Sequence, residues 1–126
     1  MRFIVIAGKA DQWYGVDFDG TLAKYDRYRG PDHCGEPVKK MVDRVKRWLA
    51  DGKTVKVFTA RVSGGGADAK KARKAIQDWC EEHVGERLEV VCEKDQHMVE
   101  LWDDRAVRVE QNTGKRVAMR VVEVVR

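Results

Sequence analysis

The chain has 126 residues, 43% of them hydrophobic and 37% charged, with a net charge of +4. That length suits one domain, residues 1–126, around a single modest core, and no apolar run approaches the roughly 20 residues of a membrane span. The three cysteines (Cys34, Cys80 and Cys92) are odd in number and lack metal-ligand spacing, which argues for free, mostly buried thiols in a reducing cytoplasm. The mild positive charge is compatible with a polyanionic partner but is no electrostatic footprint by itself.

Residues 2–6 read as a strand, since an apolar stretch of only about five residues is too short for the core of a signal peptide. A turn-like "AGKADQ" leads to a second strand at 13–18, which runs into Asp-Phe-Asp-Gly-Thr. The stretch "EPVKKMVDRVKRWLADG" (36–52) is the clearest helix. Val38, Met41, Val42, Val45, Trp48 and Leu49 recur on one face, Pro37 suits the first turn, and Gly52 suits the stop. "TVKVFTA" (54–60) is β-rich, and "SGGGAD" (63–68) reads as a loop. A second helix carries Ala72, Ala75, Ile76, Trp79, Cys80, His83 and Val84 on one stripe and closes at Gly85. Strands are expected at 88–92 and 99–102, and the end of the chain reads as two strands around Asn-Thr-Gly.

Strands alternating with helices, with continuous apolar runs in the middle strands, predict an α/β layer structure with a largely parallel sheet. Chemistry in such sheets collects at the carboxyl ends of the strands. There the sequence puts Asp17 and Asp19 after one strand, Thr59 after the next, Lys94 just past "EVVC", and Asp103 and Asp104 after another. Acids and glycine are common wherever a strand stops, so a solvated turn is the simpler account of Asp17 and Asp19 taken alone. Four carboxylates converging without a cation would repel by several kcal/mol, however, and a hard divalent ion held by few protein oxygens and several waters, such as magnesium, removes that cost. One carboxylate can then attack phosphorus to give an aspartyl phosphate. The second acid of the Asp-x-Asp pair protonates the leaving oxygen and later activates water, while a lysine and a hydroxyl hold the phosphoryl oxygens.

"VDFDGTLA", "VKVFTAR", Lys94 and "LWDDRAV", in that order, resemble the four motifs of the haloacid dehalogenase superfamily of phosphatases over residues 13–109. The resemblance implies a Rossmann-like three-layer sandwich with a mainly parallel central sheet. It implies Asp17 as nucleophile and metal ligand, and Asp19 as general acid/base with its backbone carbonyl on the metal. Thr59 and Lys94 would bind the phosphoryl group, with Gly20 and Arg61 as further phosphate contacts. Asp104 would bind magnesium directly, and Asp103 would bind beside it or one layer further out. After Asp104 the chain lacks the further Asp or Asn that some members carry, offering Arg105 and Glu110 instead.

Members acting on small metabolites usually carry a cap domain, but here the segment after Asp19 leaves only a flap of about fifteen residues, and a single helix and short strand separate Thr59 from Lys94. An open site of this kind admits phosphorylated small molecules, nucleotides and polynucleotide phosphates. Tyr25, Arg27, Tyr28 and Arg29 of the flap, with Lys70, Lys71 and Lys74, could cradle a nucleic-acid backbone, against the plainer account of a solvated basic face. A catalytically silent protein that only binds phosphate or nucleic acid is the alternative function. The receiver domains of response regulators also combine acids, Thr and Lys, but their phosphorylated Asp precedes the Thr and Lys; here the second acidic pair follows them. His33 and His97 are more simply surface residues than acid/base groups, and no membrane partner is expected.

Overall fold

β-rich and amphipathic stretches alternate to give β1 (Trp13–Asp17), α1 (Lys39–Ala50), β2 (Thr54–Phe58), a 3-10 turn (Ala60–Val62), α2 (Gly66–His83), β3 (Glu89–Val91) and β4 (Met98–Trp102). These come from a computed structural model that describes residues 11–118; the strand expected at 2–6 and the last part of the chain lie outside the described residues. The strands form one sheet in the order β3-β2-β1-β4, every neighbouring pair parallel. The α/β reading and the parallel sheet therefore hold.

Lateral partners in a sheet point the same way, and successive residues alternate. Val16 pairs with Val57 and Trp102, and Val57 pairs with Val90, so these four share a face. Both helices pack there. α1 contributes Met41, Val42 and Val45, and α2 contributes Ala69, Ala72, Ile76, Trp79 and Cys80, all to one core cluster. Each large side chain fully withdrawn from water in this layer contributes about 1.5–3 kcal/mol of transfer free energy. Aromatic contacts anchor both helices. Trp48 stacks on Tyr14 at 5.2 Å and meets Trp102 edge-on at 5.3 Å, while Trp79 meets Phe18 edge-on at 5.0 Å.

Of the three-layer sandwich implied by the resemblance, the described residues show the sheet and this helical layer; the opposite face is different. Among the described residues no helix covers it. Instead, the irregular segment 92–97 carries the chain from the end of β3 to the start of β4, and Trp13 Nε1 donates to Asp95 Oδ1 at 2.9 Å. The Lys56 ammonium sits 4.8 Å over the Trp13 ring on this side. "CEKDQH" has too few residues and no apolar period with which to build a crossover helix.

Element ends shift for local reasons. Pro37 precedes the first turn of α1 because Val38 N–H donates to Leu22 O at 2.8 Å, tying the helix start to the loop after β1. α2 begins at Gly66, inside the stretch expected to be loop. The closing Asn-Thr-Gly turn forms, but its arms meet only in a bridge between Val109 and Arg116. Val107, Val109 and Val117 remain exposed there, so no buried face extends the register among the described residues.

Candidate active site

β1 ends at Asp17, and the chain then folds tightly back on itself. The Phe18 carbonyl accepts from Leu22 N–H at 3.0 Å and from Ala23 N–H at 2.9 Å. Gly20 takes φ +91° in this loop, and a Cβ there would lie 2.6 Å from Asp104 Oδ2. Only glycine allows both the backbone conformation and the approach of the loop to the end of β4. The close packing brings carboxylate oxygens of Asp17, Asp103 and Asp104 within 4.8 Å of one another.

Thr21 stitches this cluster. Its Oγ1 lies 3.3 Å from Asp17 Oδ2 and 3.0 Å from Asp104 Oδ1, and it accepts the Asp104 N–H at 3.0 Å. A hydroxyl has one proton, so it can donate to only one carboxylate at a time and cannot neutralise the pair. Burial, followed by the neighbouring Asp103 and Asp104 carboxylates, pushes the Asp17 carboxyl up to about 7, with the Thr21 hydroxyl acting in the opposite sense. Three carboxylates this close together form an all-oxygen donor set of the kind that could hold a hard divalent ion.

Asp19 does not join the cluster with its side chain. The strand has already ended, so the alternation that would align it with Asp17 is lost, and the carboxylate turns to Arg61. Nε and Nη2 of Arg61 donate to the two Asp19 oxygens at 2.8 Å each, and Nη1 donates to the Pro31 carbonyl at 3.1 Å. Thr59, just beyond β2, is 3% exposed. Its Oγ1 accepts Arg61 N–H at 3.2 Å and so caps the 3-10 turn, leaving its own proton to donate elsewhere. Asp17, Asp19, Thr59, Arg61, Asp103 and Asp104 all line a single open hollow of about 540 Å³.

Lys94 lies elsewhere. It is exposed on the segment that crosses the second face of the sheet and lines a separate hollow with Trp13, Lys56 and Asp95. It is not among the residues that line the acidic hollow, and the chain turns back toward the start of β4 immediately after β3. Lys70, Lys71 and Lys74 do not line the acidic hollow either, and Lys74 is paired with Asp78 at 2.8 Å. Neither His33 nor His97 reaches it. Glu110 instead accepts from Thr113 Oγ1 in the closing turn.

Thr21 and Arg105 had no role assigned from the sequence; Arg105 lines the hollow together with Tyr25, the one residue of the expected flap cradle found there. The Thr of Asp-x-Asp-Gly-Thr, four residues beyond Asp17, was the available signal for Thr21. Comparison of the chain with protein-family models, with curated proteins and with solved structures found no match.

Proposed function

We propose that the protein is a phosphomonoester hydrolase that works through an aspartyl phosphate on Asp17. The observation carrying this reading is the convergence of Asp17, Asp103 and Asp104 within 4.8 Å, in one hollow with the Thr59 hydroxyl and the Arg61–Asp19 pair. Asp17, Asp103 and Asp104 would hold magnesium, which when bound neutralises their mutual repulsion and the charge of an incoming phosphoryl group.

Asp17 attacks phosphorus with a carboxylate oxygen, forming a new O–P bond while the ester O–P bond breaks. Asp19, once it carries a proton on one oxygen and keeps the other on Arg61, gives that proton to the departing alcohol oxygen, then takes one from the water that attacks the aspartyl phosphate. The second step breaks the bond between phosphorus and Asp17 and releases inorganic phosphate. Thr59 donates its free hydroxyl proton to a phosphoryl oxygen. Thr21 holds Asp17 in register with Asp104.

The hollow is open to solvent, and the exposed Tyr25 and Arg105 stand on its wall. An exposed aromatic ring and a guanidinium lining one hollow support a nucleotide or an oligonucleotide end as substrate, through stacking and phosphate contact. Hydrolysis of para-nitrophenyl phosphate, mononucleotides and oligonucleotides bearing terminal phosphates should depend on magnesium and be abolished in Asp17→Asn. Equal rates in magnesium and in chelator would sink the mechanism. Tight phosphate binding without turnover would favour a silent binding protein instead.

A further inference from the structure

We propose that Arg61 is a positioning residue: its guanidinium fixes the Asp19 carboxylate and, through Pro31, holds the flap over the site, rather than standing ready as a phosphate ligand. The catalytic consequence rests on the phosphatase reading, whereas the consequence for the flap does not.

The geometry spreads three of the guanidinium's five N–H groups over two structures. The fork of Nε and Nη2 takes both Asp19 oxygens at 2.8 Å, and Nη1 takes the Pro31 carbonyl at 3.1 Å. The side chain is only 10% exposed and its carboxylate partner 21%, so the pair is shielded from the screening that weakens surface ion pairs. At its root Arg61 is itself held, by the bond from its backbone N–H to Thr59 Oγ1. One residue thus joins the turn after β2, the acid after β1 and the middle of the flap.

The flap needs such a tie. Its base is closed by Lys24 N–H on Glu36 O at 2.7 Å, and near that base Gly35 O accepts from Trp79 Nε1 at 2.8 Å. Further out, residues 25–29 are all exposed. The Asp26–Arg29 pair stays within the flap, and the Arg61 bond to Pro31 is the only side-chain hydrogen bond that ties this outer part to the rest of the described residues. A lysine at 61 would keep the charge but present a single ammonium, which cannot grip both carboxylate oxygens and a carbonyl in different directions. A phosphate ligand needs only the charge. The two roles therefore separate on one substitution.

The test compares Arg61→Lys and Arg61→Met with the unaltered protein, using hydrogen exchange of the 25–33 peptide and steady-state kinetics on para-nitrophenyl phosphate with magnesium. Exchange in the flap should accelerate by about tenfold or more in both variants. Kcat should fall on the order of 10- to 100-fold in both with little change in KM, and added guanidinium ion should partly restore Arg61→Met. Unchanged flap exchange overturns the proposal whatever the kinetics show. So does a rise in KM alone in Arg61→Met that Arg61→Lys repairs, since that is the behaviour of a phosphate ligand. If Arg61→Met does not fold, Arg61→Lys carries the same flap measurement, and normal exchange there is equally fatal. A protein with no phosphatase activity would refute the proposed function while leaving the exchange measurement to decide the role of Arg61.

Discussion

Replacing Asp17 by asparagine should make the cation-free protein more stable while removing its response to a divalent ion. Burial and the Asp103 and Asp104 carboxylates raise the Asp17 carboxyl from 3.8 to about 7. A shift of that size has a ceiling of about 4 kcal/mol, and because Asp17 is only partly buried, solvent screening reduces it to about 1–2 kcal/mol. Between about pH 4 and pH 7 the folded protein keeps a proton that the unfolded chain has already released. Stability therefore falls as pH rises through that window, and the loss is complete above pH 7. Asparagine carries no charge but keeps an oxygen for the Thr21 hydroxyl, which lies 3.3 Å from Asp17 Oδ2. In chelator at pH 8, Asp17→Asn should unfold at higher urea concentration, with a Tm roughly 4–10 °C above that of the unaltered protein. At pH 4 the two should coincide. Magnesium should raise the Tm of the unaltered protein alone. A variant that is no more stable at pH 8, or whose advantage persists at pH 4, would show that the three carboxylates do not strain the site.

Protons and cations compete for the same oxygens, so the Tm gain from saturating magnesium should shrink between pH 8 and pH 5.5, as differential scanning fluorimetry would show. Gly20→Ala should cost about 1–3 kcal/mol in chemical denaturation and weaken magnesium binding, because the residue sits at φ +91° with no room beside Asp104. Trp79→Phe keeps the ring edge-on to Phe18 but leaves the Gly35 carbonyl without its donor, so it should cost about 1 kcal/mol and speed hydrogen exchange at the base of the flap. Glu110→Gln should leave magnesium affinity unchanged by calorimetry, since Glu110 belongs to the closing turn rather than to the acidic cluster.

The elements were legible because their signals are local. A 3.6-residue stripe in α1 and a β-branched run in β2 each carry their own period, and the buried sets Met41, Val42, Val45 and Val55, Val57 follow from them. The acidic rim was legible too, since parallel strands deliver their carboxyl ends to one edge, and Asp17, Asp103 and Asp104 sit at the ends of adjacent strands. What the sequence could not decide is where a side chain turns once its strand has ended. Asp19 reads as the twin of Asp17, yet it leaves the cluster because Arg61, 42 residues away, offers two donors in the other direction. Lys94 reads as a neighbour of the acids, yet the crossover takes it onto the second face of the sheet, where a short irregular segment stands in place of a helix. Periodicity and strand order act over a few residues and survive in the sequence. The partner of a polar side chain in a loop depends on which distant segment arrives beside it, and only the folded chain decides that.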